Sequence, residues 1–87
     1  MKFNENDVKY LLSIGYANRD ITQIKSVKRT VKLTDENGKN ISQDKAVELI
    51  GREQFLSGLG RAAFHCSACR EIDNHLIYFD AYHYFKY

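Results

Sequence analysis

The run His75-Leu76-Ile77-Tyr78-Phe79 does most to narrow the folds open to this chain. After its histidine it is apolar or aromatic at every position, so it reads as a strand buried inside a sheet and not as a strand along the rim. Asp73-Asn74 before it reads as a turn. A second strand signal lies earlier, where Thr30-Val31-Lys32-Leu33-Thr34 alternates polar and apolar residues. Asn37-Gly38 follows with two residues that accept positive φ, which predicts a hairpin returning through Asn40 and Ile41.

The remaining segments carry helical spacing. Asn6-Asp7 offers a cap for a first helix with Val8, Leu11 and Leu12 on one side and Gly15 as its stop. Asn18 offers a cap for a second, whose apolar edge is Ile21, Ile24 and Val27. Ser42 caps a third, with Ala46, Val47, Leu49 and Ile50 inward and Gly51 as the break. A fourth starts near Arg52 and carries Phe55, Leu56, Leu59, Ala62, Ala63 and Cys66 on a broad apolar face. Gly58 and Gly60 inside it each cost up to about 1 kcal/mol of helix propensity relative to alanine, a cost that close approach of another backbone usually explains. The expectation is an α+β fold, a small helical domain of about four helices with a short β-hairpin and one buried C-terminal strand. With no repeat, no linker and no proline, residues 1–87 read as a single domain. Leu11, Ile21, Leu33, Leu49, Phe55, Leu59, Ile77 and Phe79 are its predicted core.

Composition restricts function less than fold. Hydrophobic residues at 44% and charged residues at 28% are the mix of a folded chain, which argues against disorder. Thirteen Lys and Arg against eleven Asp and Glu leave a formal charge of +2, neither the acidic surface of a DNA mimic nor the excess of a dedicated nucleic-acid binder. No apolar run approaches the roughly 20 residues that span a bilayer, and the opening residues lack the apolar stretch of a signal peptide. A cytoplasmic protein that does not bind membranes is expected.

All three histidines and both cysteines fall between residues 65 and 83. Cys66, Cys69, His75 and His83 form a pair of thiolates and a pair of imidazoles, the donor set that a structural zinc prefers. Cysteines three apart are neighbours even on a helix, whereas His65 lies about 100° around from Cys66 and serves only as a substitute ligand. The same side chains also read as plain core, strand and tail residues, and both readings stand. A disulfide across so short a loop constrains the unfolded chain little, and cytosolic thiols stay reduced. The Cys-x2-Cys follows a helix instead of opening one after a strand, which argues against a thioredoxin-like pair. No oxyanion loop accompanies the Cys and His residues, so a non-catalytic protein is expected.

Lys25, Lys28, Arg29 and Lys32 recur on another, basic face of the second helix, available to an acidic partner or to phosphates. A solvated helix face is the ordinary alternative. Leu11-Leu12-Ser13-Ile14-Gly15-Tyr16-Ala17-Asn18-Arg19-Asp20-Ile21 is similar to the opening of many helix-turn-helix domains, although such helix pairs are also a generic packing solution.

The stretch Gly51-Arg52-Glu53-Gln54-Phe55-Leu56-Ser57-Gly58-Leu59-Gly60-Arg61-Ala62-Ala63-Phe64-His65, with Tyr78-Phe79-Asp80 later, resembles small proteins common in phages and prophages of Gram-positive bacteria. With the segment from Leu11 to Ile21 the resemblance covers roughly half of the chain. Among phage proteins of this size are anti-CRISPR inhibitors of the type II RNA-guided DNA nuclease. The resemblance implies a protein-binding nuclease inhibitor acting in the host bacterial cytoplasm, with zinc as a structural clamp. It carries over no functional residues, because such inhibitors share little sequence. The alternative is a small helix-turn-helix DNA-binding regulator.

Overall fold

A computed structural model of the chain describes residues 2–65 and 75–81, and the backbone of residues 67–72. Helix α1 (Glu5–Ser13) is followed by α2 (Asn18–Lys28), strand β1 (Lys32–Thr34), α3 (Gln43–Ile50), α4 (Arg52–His65), β2 (Ser67–Ile72) and β3 (His75–Asp80). The strands form one antiparallel sheet in the order β1-β3-β2. The α+β architecture expected from the sequence is therefore the one observed, with β3 at the centre of the sheet.

Among the described residues β3 is covered mainly on one face. Ile77 and Phe79 are buried while Tyr78 is exposed, the alternation of a strand with helices on one side and solvent on the other. The β1 hairpin forms as expected: Thr34 bridges Asn40, and the Ile41 N–H donates to the Leu33 carbonyl at 3.1 Å. Asp35 organises its turn, the carboxylate accepting the N–H groups of Asn37 and Lys39 at 2.9 and 3.0 Å. β2 was not anticipated. The fourth helix ends at His65, and Ser67–Ile72 becomes a strand because β3 offers it a complete ladder from Ser67↔Asp80 to Ile72↔His75.

The helix starts differ in detail from the sequence expectation. Asn4, not Asn6-Asp7, caps α1, and Asp7 closes a reciprocal capping box from the third helical position. Ala17 is the cap of α2, and the carboxylate of Asp20 accepts its N–H at 2.8 Å. Ser42 caps α3 as expected, its hydroxyl accepting the Lys45 N–H at 3.1 Å. Gly51, at φ 86°, separates α3 from α4 where a side chain would be strained.

One cluster of buried side chains joins all the elements with described side chains, from Leu11 on α1 and Ile24 on α2 to Leu33, Phe55, Leu59, Ile77 and Phe79. Of the eight predicted core residues only Leu49 is half-buried, because α3 turns Ala46 and Ile50 inward and leaves Leu49 on the flank. Gly58 and Gly60 admit close approach, but of aromatic rings and not of backbone. A Cβ at Gly58 would collide with the ring of Phe79, and one at Gly60 would stand 2.5 Å from the Tyr16 hydroxyl.

Candidate anion-binding site

The site starts from a buried carboxylate. Asp7 is 1% exposed and accepts two hydrogen bonds from Arg52, Nε to Oδ1 at 2.5 Å and Nη2 to Oδ2 at 2.7 Å. The forked, charge-assisted geometry holds the Asp7 carboxyl below its ordinary range despite burial, with the Asn4 N–H helping at 2.9 Å. Arg52 Nη2 also donates to the Lys2 carbonyl at 2.8 Å. One guanidinium thus ties the start of the chain to α4 and fixes where Lys2 and Phe3 lie.

Helix α2 presents the opposite wall. Ile21, Ile24 and Val27 are buried in the core, which sets the rotation of the helix. Gln23 Nε2 donates to the Ala63 carbonyl at 2.9 Å and Gln43 Nε2 to the Lys28 carbonyl at 2.6 Å, tying α2 to α4 and α3. Between this helix and the N-terminal segment lies a cavity of about 330 Å³ lined by Lys2, Phe3, Lys25, Lys28 and Arg29. Lys25 Nζ stands 6.0 Å from the centre of the Phe3 ring.

Cations in the last turn of a helix have an ordinary explanation, since they offset the negative end of the macrodipole. That explanation is insufficient here. The dipole end amounts to about half a negative charge, whereas Lys25, Lys28 and Arg29 bring three positive charges to it. Lys2 adds a fourth from a different part of the chain, and no carboxylate lines the cavity. The lining is basic beyond what the dipole accounts for.

The sequence expectation is met in part. Lys25 and Arg29 are exposed and Lys28 is half-buried, and all three line the cavity. Lys32 does not: it is exposed on β1, opposite Asp80 in the register, because the chain leaves the helix before it. Lys2 and Phe3 were missed, since nothing local marks them; the Arg52 hydrogen bond to the Lys2 carbonyl and the packing of Phe3 on the core bring them to α2.

Of the proposed metal ligands, Cys66 and His83 lie outside the described residues, as does the side chain of Cys69. The backbone of Cys69 pairs with Tyr78, and His75 pairs with Ile72. Their backbones are therefore three register steps apart, about 10 Å along the sheet. His75 is half-buried on the face of β3 that carries Ile77 and Phe79, and His65, the substitute, is exposed at the end of α4. Among the described residues no group of three or more His, Cys, Asp or Glu side chains could hold a metal ion.

Two further surfaces stand out. Asn18, Arg19, Thr22, Lys25 and Arg29 form an exposed stripe along α2 that carries no acid. Ile14 and Phe64 are exposed, and Phe64 stacks on Tyr16 with ring centres 5.8 Å apart. Among the described residues no helix is long and apolar enough to cross a membrane. Comparison with protein-family models, with curated proteins and with solved structures finds no match for the chain.

Proposed function

We propose that this protein is a non-catalytic binding protein that acts on a nucleic-acid-handling complex by engaging its polyanion through the Lys2, Lys25, Lys28 and Arg29 site. The convergence of four cations on one acid-free cavity, from two separate parts of the chain, is the observation that carries the reading. The resemblance to phage and prophage proteins makes the type II RNA-guided DNA nuclease of a bacterial host the proposed target. Such an enzyme holds guide RNA and a displaced DNA strand, so it presents polyanion while it works. Zinc belongs to the same proposal as a structural clamp, resting on the donor chemistry of Cys66, Cys69, His75 and His83 alone and not on the register, which sets Cys69 and His75 about 10 Å apart along the sheet.

The test is a cleavage assay with purified type II effector, its guide and a matched target, in the presence of increasing amounts of this protein. Inhibition near stoichiometric amounts is expected, with Lys25→Glu, Arg29→Glu protein much weaker. Full cleavage in the presence of excess folded protein would remove the nuclease from the proposal. The second reading, a helix-turn-helix regulator, is favoured by the α1-Gly15-α2 arrangement and the acid-free stripe on α2. It requires binding to one duplex sequence over others, which selection from a random duplex library measures.

A further inference from the structure

Deepening that reading, and resting on it, we infer that the cavity takes one unstacked nucleotide of a single strand, its base against Phe3 and the neighbouring phosphates on Lys25, Lys28 and Arg29. A surface that only neutralises phosphates needs neither a concavity nor an aromatic ring. This one has both. Its volume of about 330 Å³ lies near the lower end of small-molecule sites, roughly 300 Å³, which suits a single nucleotide. In a duplex the bases are stacked inside and offer only their edges in the grooves, so a ring inside a cavity cannot lie against them.

Phe3 meets the requirement of a stacking platform, which is a fixed position with a reachable face. It is half-buried against the core, and the Arg52 hydrogen bond to the Lys2 carbonyl holds the backbone beside it. Lys25 Nζ lies over the ring, 6.0 Å from its centre at the outer edge of cation-π contact, so a stacking base displaces this flexible side chain, whose ammonium then meets the adjoining phosphate. Arg29 lies one helical turn further along α2, where the next phosphate of a strand would pass. Stacking on an aromatic side chain tolerates any base, so the site is expected to grip strands with little sequence preference.

The experiment is fluorescence anisotropy at low salt with three labelled probes: a short oligothymidylate, an abasic strand of equal length, and a duplex with the same number of phosphates. The protein should bind the oligothymidylate about 5- to 150-fold more tightly than the abasic strand, the range expected for loss of one base-aromatic stack. Phe3→Leu should abolish that difference, bringing thymidylate affinity down to that for the abasic strand, and Lys25→Glu, Arg29→Glu protein should lose affinity for both. Equal affinity of the wild-type protein for thymidylate and abasic strands, or preference for the duplex, overturns the inference and leaves the polyanion reading standing. No binding of any probe by folded wild-type protein overturns both the inference and the polyanion reading, whatever the cleavage assay shows.

Discussion

Substitution at either end of the Asp7–Arg52 pair should reveal an asymmetry that only burial explains. The Asp7 side chain is 2% exposed and that of Arg52 is 38% exposed. Arg52→Met keeps an unbranched apolar stem but leaves the carboxylate in the interior with only the Asn4 N–H as a donor. Deleting one partner of a buried pair costs about 3–5 kcal/mol, and the partial exposure of Arg52 places this case near 3 kcal/mol. Asp7→Asn keeps one oxygen that still accepts from Arg52 and loses the other acceptor, while the partly exposed guanidinium meets water with its freed N–H, so the loss is that of one charge-assisted bond, about 1.5 kcal/mol. Urea unfolding at neutral pH should therefore order the proteins wild type, Asp7→Asn, Arg52→Met, with unchanged slope. In thermal unfolding each kcal/mol should read as about 4–8 °C. The pH dependence follows with opposite signs. In the wild type the folded Asp7 pKa lies below 3.8, so its contribution is fully present above the unfolded value and is lost as pH falls through the folded one. In Arg52→Met, burial without the cation raises the folded value, so acid relieves part of the penalty and the gap to wild type narrows as pH falls through that raised value. Equal losses in the two variants, or a gap that widens in acid, would refute the reasoning.

Gly58→Ala should destabilise by about 1–3 kcal/mol despite a propensity gain near 1 kcal/mol, because the added methyl collides with the buried ring of Phe79. Gly60→Ala should cost less than Gly58→Ala, since the hydroxyl and ring edge it meets belong to half-buried Tyr16, which lies against an exposed ring and shifts more easily than buried Phe79; chemical unfolding of both proteins compares them. Elemental analysis of protein prepared without a histidine tag should find about one zinc per chain and a lower melting temperature after chelation, and a metal-free, well-folded sample would defeat the zinc proposal.

Local signals marked the parts of the fold that depend on neighbouring residues. Ser42 and Gly51 bound α3 because a hydroxyl cap and a positive-φ glycine act within one turn. Asp7 was placed as a cap when it is the third helical residue, and its true role depends on Arg52, 45 positions away. Ser67-Ala68-Cys69-Arg70-Glu71-Ile72 has no clean alternation and few strand-forming residues, so its pairing comes from the ladder that β3 supplies and not from its own propensity. In the site, periodicity identified Lys25, Lys28 and Arg29, which share one helix end. It could not identify Lys2 and Phe3, whose contribution exists only once the N-terminal segment is tied down.

The strand order β1-β3-β2 sets the timetable on which the chain can assemble during synthesis. The central strand is made last, so the two strands that flank it wait without partners while the ribosome completes residues 75–80. β1 waits longest, because Leu33 pairs with Phe79 across most of the chain, and closing so long a loop carries an entropy cost that grows as the logarithm of its length. Until then Phe79 is not there to occupy the notch at Gly58, and the four helices have no sheet to close over. A nascent chain halted before β3 would expose an apolar helical layer, the kind of surface that chaperones and proteases recognise.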